Sequence, residues 1–315
     1  MSDLPPIAVI GNANLDLVGG LMDHWPERGT ESFLDHADSR IGGSAANTAL
    51  VLQRLAVPFG LIASSGSDIV GNVITGQFSG PLDRITITPG PSSVTFGVLH
   101  PGSERTFFST PGHLDHFTTD QVRNGLKGWP LKGAMALVSG SFALPGMLAD
   151  CTALLRELKV SGARTVIDPG WPGEGWSEQN RAYMRDWIAH SDVILLNDKE
   201  ILGLTGARTV SAAMNALTPD LCPGAALVVK CGPDGALCRQ NEQDFSAASP
   251  NAEIFDTIGA GDAFNAGCLA ALQAGYGPAG CLSAGCTIAS TVIRHFPRAT
   301  DVLSLPDDIT PTEAL

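Results

Sequence analysis

The 315-residue sequence predicts an α/β fold of three layers: a mostly parallel central sheet with helices on both faces, plus a small β-sheet lid. Three observations carry this. Short apolar runs rich in β-branched residues recur, among them Ile7-Ala8-Val9-Ile10, Ala136-Leu137-Val138, Thr165-Val166-Ile167, Val193-Ile194-Leu195-Leu196 and Ala226-Leu227-Val228-Val229; such runs read as strands buried on both faces. Helical segments alternate with them, as crossover connections of a parallel sheet require. Two stretches, about 12–40 and 84–114, interrupt the alternation with β-rich, period-two patterning, the mark of a separate small sheet. No internal repeat or low-complexity segment appears; length alone allows one large α/β domain or two smaller ones, and the two insertions suggest one small sheet added to the main layer.

The composition is consistent with a sizeable core, since 44% of residues are hydrophobic and only 16% charged. A net charge of −13 argues against nucleic acid and anionic membrane surfaces as partners. No apolar run approaches the ~20 residues of a membrane span, and Met1-Ser2-Asp3-Leu4-Pro5-Pro6 lacks a basic region followed by an apolar one. Cys222, Cys231, Cys238, Cys281 and Cys286 show no Cys-x-x-Cys pairing. They read as reduced, mostly buried thiols, and the expectation is a cytoplasmic protein.

Taken in order, the first strand ends at Gly11 and is followed by Asn12, Asn14 and Asp16 at alternate positions. An extended backbone points all three to one side, just past a strand's carboxyl end, where open α/β sheets place ligands. Turn and cap duties are the competing reading. Short strands are expected from 17 to 40. Gly42-Gly43 opens a helix through residues 45–55; the glycines permit close approach of a ligand. Asn47, in its first turns, either faces that ligand or is simply a weak helix former. Phe59-Gly60-Leu61-Ile62-Ala63-Ser64 reads as the next strand. From Arg84 to Phe108 the pattern is a β-meander through Ile85-Thr88, Val94-Leu99 and Arg105-Phe108. The cluster His113-Leu114-Asp115-His116 offers too few ligands for a metal.

Helices are expected near 147–159 and 179–189. After the strand at 193–196, Asn197 and Glu200 can share one ligand or cap the following helix reciprocally. Lys230 ends the next strand, and Gly232 and Gly235 suit a hairpin turn. A small-residue helix covers 281–290, and the tail from Pro306 reads as loosely held.

The chain is organised around Asp256-Thr257-Ile258-Gly259-Ala260-Gly261-Asp262, which opens a helix of small and apolar residues. The unpaired amides and the helix dipole at such a point attract phosphate. Asp262, in the first turn, would repel a phosphate merely held there. It makes sense as a base that takes a proton from a hydroxyl attacking a phosphoryl group on the amides of Gly259, Ala260 and Gly261. The bland alternative makes the glycines turn residues and Asp262 a dipole-stabilised acid. No Walker motif is present, Phe264 stands where a dinucleotide fingerprint needs a small residue, and Gly42-Gly43-Ser44-Ala45-Ala46 is no nucleophile elbow.

Residues 256–264 resemble the C-terminal signature of the ribokinase-like (PfkB) carbohydrate kinases, and Gly42-Gly43-Ser44-Ala45-Ala46-Asn47-Thr48-Ala49 resembles that family's other signature. The two lie about two hundred residues apart in the family's order. The resemblance implies an ATP-dependent transfer of the γ-phosphoryl group to a primary hydroxyl of a sugar or nucleoside, with Asp262 as base. It implies that Asn14 and Asp16 bind substrate hydroxyls beside Gly42, Gly43 and Asn47. Asn197 and Glu200 match a motif that positions Mg2+ through water. Lys230, Gly232 and Gly235 match the nucleotide-side turn. Asp256 and Ile258 would offer oxygens to a monovalent cation such as K+, residues 66–71 would be structural, and helix 281–290 would lie beside adenine. The lid would cover the sugar and form a homodimer contact.

On the acceptor, Ser44 stands where many phosphosugar kinases of the family carry Lys, which disfavours an anion. The first signature is similar to the adenosine-kinase-like branch, with Phe96, Phe107 and Phe108 as lid aromatics to stack on a base. Asp168-Pro169-Gly170-Trp171-Pro172 resembles the D-x-N-x-R segment of sugar-acid kinases but departs at Gly170 and Pro172. A non-catalytic sugar or nucleotide sensor is the alternative of another class, and it has no use for Asp262.

Overall fold

The computed structural model describes residues 4–251 and 254–306. The expectations for Met1-Ser2-Asp3 and for the tail beyond Pro306 lie outside them. Among the described residues the main sheet has nine strands, in the order β13-β12-β11-β10-β9-β8-β1-β4-β5. These are β1 (Ile7–Gly11), β4 (Phe59–Gly66), β5 (Arg84–Thr88), β8 (Met135–Ser139), β9 (Arg164–Asp168), β10 (Val193–Asn197), β11 (Ala226–Lys230), β12 (Ala236–Gln240) and β13 (Gln243–Ala247). From β5 to β11 neighbours run parallel, and β12 and β13 are antiparallel additions at one edge. A second sheet, ordered β3-β2-β6-β7, joins β2 (Asn14–Gly20), β3 (His36–Gly42), β6 (Val94–Leu99) and β7 (Arg105–Ser109).

The helices are α1 (Ser44–Arg54), α2 (Ile69–Gln77), α3 (Thr119–Gly125), α4 (Cys151–Val160), α5 (Glu178–Ile188), α6 (Asp198–Thr205), α7 (Val210–Leu217), α8 (Ala260–Gln273) and α9 (Pro278–Val292). They cover both faces of the main sheet. In β1, Ile7 and Val9 pack into one core with α1, α8 and α9, while Ala8 and Ile10 pack into the other with α4 and α5. A strand buried on both faces has no polar side to show, which is why these segments read as continuous apolar runs.

The meander expected over 84–108 is corrected at its first strand. Residues 84–88 pair in parallel with β4, from Ile62↔Arg84 to Gly66↔Thr88, and belong to the main sheet. An edge strand with one wet face alternates as a lid strand does, so the pattern alone did not separate them. Helix α4 begins at Cys151 and not near Met147, because Pro145-Gly146-Met147 forms a 3-10 turn first.

Candidate active site

Five adjacent parallel strands end at the same edge of the sheet, β10 and β11 running two residues past β9. In register, Gly11 of β1 faces Ser139 of β8, which faces Asp168 of β9, and Asn197 of β10 faces Lys230 of β11. A row of polar side chains therefore closes an otherwise apolar sheet at its carboxyl edge, the usual ligand position of this architecture.

Helices α1 and α8 bring their N-termini together over this row. Asp262, in the first turn of α8, is half-buried, and both its carboxylate oxygens are held. Ser44 Oγ donates to Oδ1 at 2.8 Å and Asn47 Nδ2 donates to Oδ2 at 2.9 Å; Ser44 in turn bonds Ser139 Oγ at 2.7 Å. Burial, then the charge of Asp168, pushes the Asp262 carboxyl up to about 6, against the opposing pull of those two donors and of Lys230. Gly259 caps α8 in the left-handed region at φ 74, where a side chain would be strained and would crowd Asn47. The expected trio of free amides is reduced to two. Ala260 N–H donates to Thr257 O at 3.2 Å within the turn, whereas those of Gly259 and Gly261 have no acceptor among the described residues.

Lys230 Nζ donates to Asp168 Oδ2 at 2.8 Å and to Asn265 Oδ1 at 3.1 Å. Burial alone would lower its pKa, but the carboxylates of Asp168 and Glu200 raise it overall, so the ammonium stays charged. A Cβ placed on Gly261 would lie 3.5 Å from that ammonium, so a fixed positive charge stands beside the open amides. Asp168 and Ser139 were not singled out as site residues. Their signal was available: each is the one polar residue ending a buried strand.

On the other side, Asn14 Nδ2 donates to Asp16 Oδ1 at 2.7 Å and to Thr95 Oγ1 at 3.2 Å. Asp16 is buried, and desolvation pushes its carboxyl up to about 6 although Asn14 and Arg40 act against it. A side chain at Gly42 would displace the acid, since its Cβ would sit 2.1 Å from Asp16 Cγ. Gly43, at φ 93, packs against Asn12 O and Asn14 Oδ1. Asn12, Asn14, Ser93, Thr95, Ser109 and Thr110 are among the residues lining a 290 Å³ cavity between the main sheet and the lid. Asn12, which lines this cavity, also meets the start of α1, where its main-chain oxygen accepts from Ala46 N–H at 3.2 Å.

Asn197 and Glu200 cap α6 reciprocally: Asn197 N–H donates to Glu200 Oε2 and Glu200 N–H to Asn197 Oδ1, both at 2.8 Å. The capping alternative is thus realised, and Glu200 also feels the charges of Asp168 and Lys230. Burial and then the charge of Asp168 push it up to about 7, against Lys230. Gly235 is tied to the hairpin, its Cβ being excluded by Ala247 O at 2.0 Å, whereas Gly232 faces open space. Among the described residues no group of three His, Cys, Asp or Glu is arranged to hold a metal ion. His113 is buried, accepting from Ser93 N–H at 3.0 Å, and its ring serves packing.

The oxygens of Asp256 and Ile258, expected to hold a monovalent cation, have other partners in the structure. Asp256 is buried; its Oδ2 takes Arg40 Nη2 at 2.6 Å and Arg298 Nη2 at 3.2 Å, and its Oδ1 takes Ile258 N–H at 2.8 Å. Ile258 O accepts from the same Arg298 nitrogen. Neither arginine carried a local signal, since each is 40 or more residues from the acid it meets.

The lid aromatics also divide. Thr95 pairs with Ser109 and Gly97 with Phe107, on the cavity side. Phe96 pairs with Phe108 on the opposite, outer face. Only Phe107 of the three shares the face of the cavity, and Arg105 lies 5.9 Å over its ring.

Residues 5–302 match the model of the family described as pfkB family carbohydrate kinase. The chain belongs to that family. It is accordingly a phosphotransferase, and its relatives agree in class. It is 26% identical to the fructokinase of Rhizobium leguminosarum bv. trifolii over 74% of this chain and 71% of that protein. It is 26% identical to the aminoimidazole riboside kinase of Salmonella typhimurium over 87% of this chain and 82% of that one. Among solved structures, an Escherichia coli chain assigned as ribokinase II, in complex with ATP and Mg2+, superposes with a TM-score of 0.79 at 19% identity, covering 93% of this chain and 94% of the other. That likeness shows the fold.

Proposed function

We propose that this pfkB-family protein is an ATP-dependent kinase acting on a primary hydroxyl of an uncharged sugar or nucleoside. The observation that carries the reading is Asp262: a carboxylate fixed by Ser44 and Asn47, in the first turn of α8 beside the open amides of Gly259 and Gly261. With its pKa at about 6, Asp262 is ionised near neutrality yet basic enough to take a hydroxyl proton. The two amides and the dipole of α8 favour negative charge on the group in transit, and Lys230 adds a positive charge beside them. ATP with Mg2+ would supply the phosphoryl group and neutralise its oxygens. Mg2+ dehydrates reluctantly and would keep several of its waters. Glu200 and Asn197 would hold it through water, and Gly232 faces open space on the same edge.

Asn14 and Asp16 would bind acceptor hydroxyls. The cavity is lined by amides, hydroxyls, apolar groups and the acid Asp115, with no Lys, Arg or His. That lining favours a neutral acceptor over a phosphosugar or sugar acid, and two relatives are named for fructose and for a riboside. We infer a cytoplasmic protein, its seven cysteines all free, that dimerises through the outer face of the lid.

The test is ADP release with a panel of neutral sugars and nucleosides. Turnover is expected with at least one acceptor, and its loss in Asp262→Asn. Tight binding of a non-hydrolysable ATP analogue without turnover on any acceptor would overturn the kinase in favour of a sensor.

A further inference from the structure

The loop 256–261 that leads into α8 is built around a buried charge cluster distinct from the base. Arg298 Nη2 is surrounded by three oxygens of that loop: Asp256 Oδ2 at 3.2 Å, Asp256 O at 3.4 Å and Ile258 O. Its Nη1 donates to Val292 O at 3.0 Å, at the carboxyl end of α9, where a cation is favoured by the helix dipole. Arg40, from lid strand β3, meets the same Asp256 oxygen at 2.6 Å and Asp38 Oδ2 at 3.1 Å. The side chain of Asp256 has no exposed surface, and those of both arginines are largely covered.

A monovalent cation in this loop would need the carboxylate and carbonyl oxygens that the guanidinium already uses. It would have to sit at or beside a nitrogen carrying positive charge, with a second guanidinium in contact with the same carboxylate. Both sterics and repulsion oppose it. The guanidinium, in turn, gives what a bound cation would give: positive charge and several directed contacts that fix the carbonyls of the loop and, through them, the direction of the Gly259 and Gly261 amides.

We propose that Arg298 serves as a tethered replacement for a monovalent cation in the loop preceding α8, so that nucleotide binding and turnover need neither K+ nor Na+. The role of the loop rests on the kinase reading above; the occupancy of its oxygens does not. Although burial and the nearby Arg40 push Arg298 down to about 10, it is fully charged near neutrality. Arg298 is a positioning residue, acting on substrate only through the loop.

The experiment compares wild type, Arg298→Ala and Arg298→Lys in KCl and in tetramethylammonium chloride at equal ionic strength. Three quantities are read: thermal midpoint, affinity for a non-hydrolysable ATP analogue, and turnover on the best acceptor. Wild type should give the same three values in both salts. Arg298→Ala should lose analogue affinity and turnover by about tenfold or more in tetramethylammonium, and KCl should restore a substantial part by filling the vacated oxygens. Arg298→Lys, which keeps a charge near the site, should fall between them and stay insensitive to K+. A rise of more than about threefold in wild-type analogue affinity or turnover with K+, well beyond salt-screening effects, would overturn the proposal. So would an Arg298→Ala protein that folds and is unaffected in both salts. If Arg298→Ala does not fold, the wild-type and Arg298→Lys arms still decide. If no acceptor is turned over, the kinase reading fails while midpoint and analogue affinity still report on the cation.

Discussion

Asn47 Nδ2 donates to Asp262 Oδ2 at 2.9 Å, joining the first turns of two helices whose residues lie 215 positions apart. The bond does two things at once. It aims the carboxylate, and it favours the ionised form that a base must have. Asn47 was expected beside the acceptor, and in the structure its side chain reaches Asp262. Replacing Asp262 by Asn should lower kcat by about 10²–10⁴-fold, the range for loss of a general base, with the affinity for an ATP analogue retained. Asn47→Ala should lower kcat less, by about tenfold, and move the acid limb of the pH profile upward because a donor to the carboxylate has gone. Steady-state kinetics across pH separate these outcomes, and an Asn47→Ala enzyme with an unshifted limb would refute the assignment.

Two carboxylates of the candidate site, Asp262 and Asp16, stand at about 6 in the folded protein against an ordinary 3.8. Catalysis needs Asp262 ionised, so kcat should climb as pH rises through about 6 and level off above it. Stability runs the other way. Between 3.8 and about 6 the folded protein holds protons that the unfolded chain has released, so this contribution is complete at lower pH and is lost as pH rises through the folded value. Asp262→Asn should remove part of that loss, giving a thermal midpoint at pH ~8 at or above wild type. A midpoint clearly below wild type at that pH would show that the carboxylate is stabilising after all.

Gly42 offers a test of the acceptor side. A Cβ there would stand 2.1 Å from Asp16 Cγ, a distance that forces the acid to move. Gly42→Ala should raise the acceptor KM by about tenfold or more while leaving that for ATP near wild type. Gly76→Ala is the matched control: it lies within α2, facing open space, and should stabilise by about 0.4–1 kcal/mol. Equal effects of both substitutions on acceptor KM would remove Asp16 from the site.

Much of this site could be read in advance because it is local. The loop 256–262 was legible as the lead into a helix from its two glycines, and Asn14 and Asp16 as polar residues just past a buried strand. What escaped is long-range. Asp168 finds Lys230 62 positions away, and Asp256 finds Arg40 216 positions away; neither pair leaves a periodic trace. Period-two patterning has a related blind spot. It says that Thr95 and Phe96 face opposite ways but not which one faces inward, and so Phe96 and Phe108 were expected over the substrate when they lie outside.

That outward placement leads to the last prediction. Leu17, Phe96 and Phe108 stand opposite one another across three strands of the lid. Phe96 is 47% exposed and Phe108 53%, with Trp25 in edge contact with Phe108 at 6.0 Å. An apolar stripe left open on one face of a four-stranded sheet invites burial against another protein surface, and a second lid presents the same stripe by symmetry. Phe96→Asp and Phe108→Asp should each shift the mass measured by light scattering from dimer toward monomer, since a charge on either side must be desolvated or leave the interface. Phe107→Leu, on the cavity face, should leave the mass unchanged and alter the acceptor KM instead. A wild-type protein that is monomeric at tens of micromolar, roughly the range in which a weak interface of this kind still assembles, would show that the stripe is not a dimer contact.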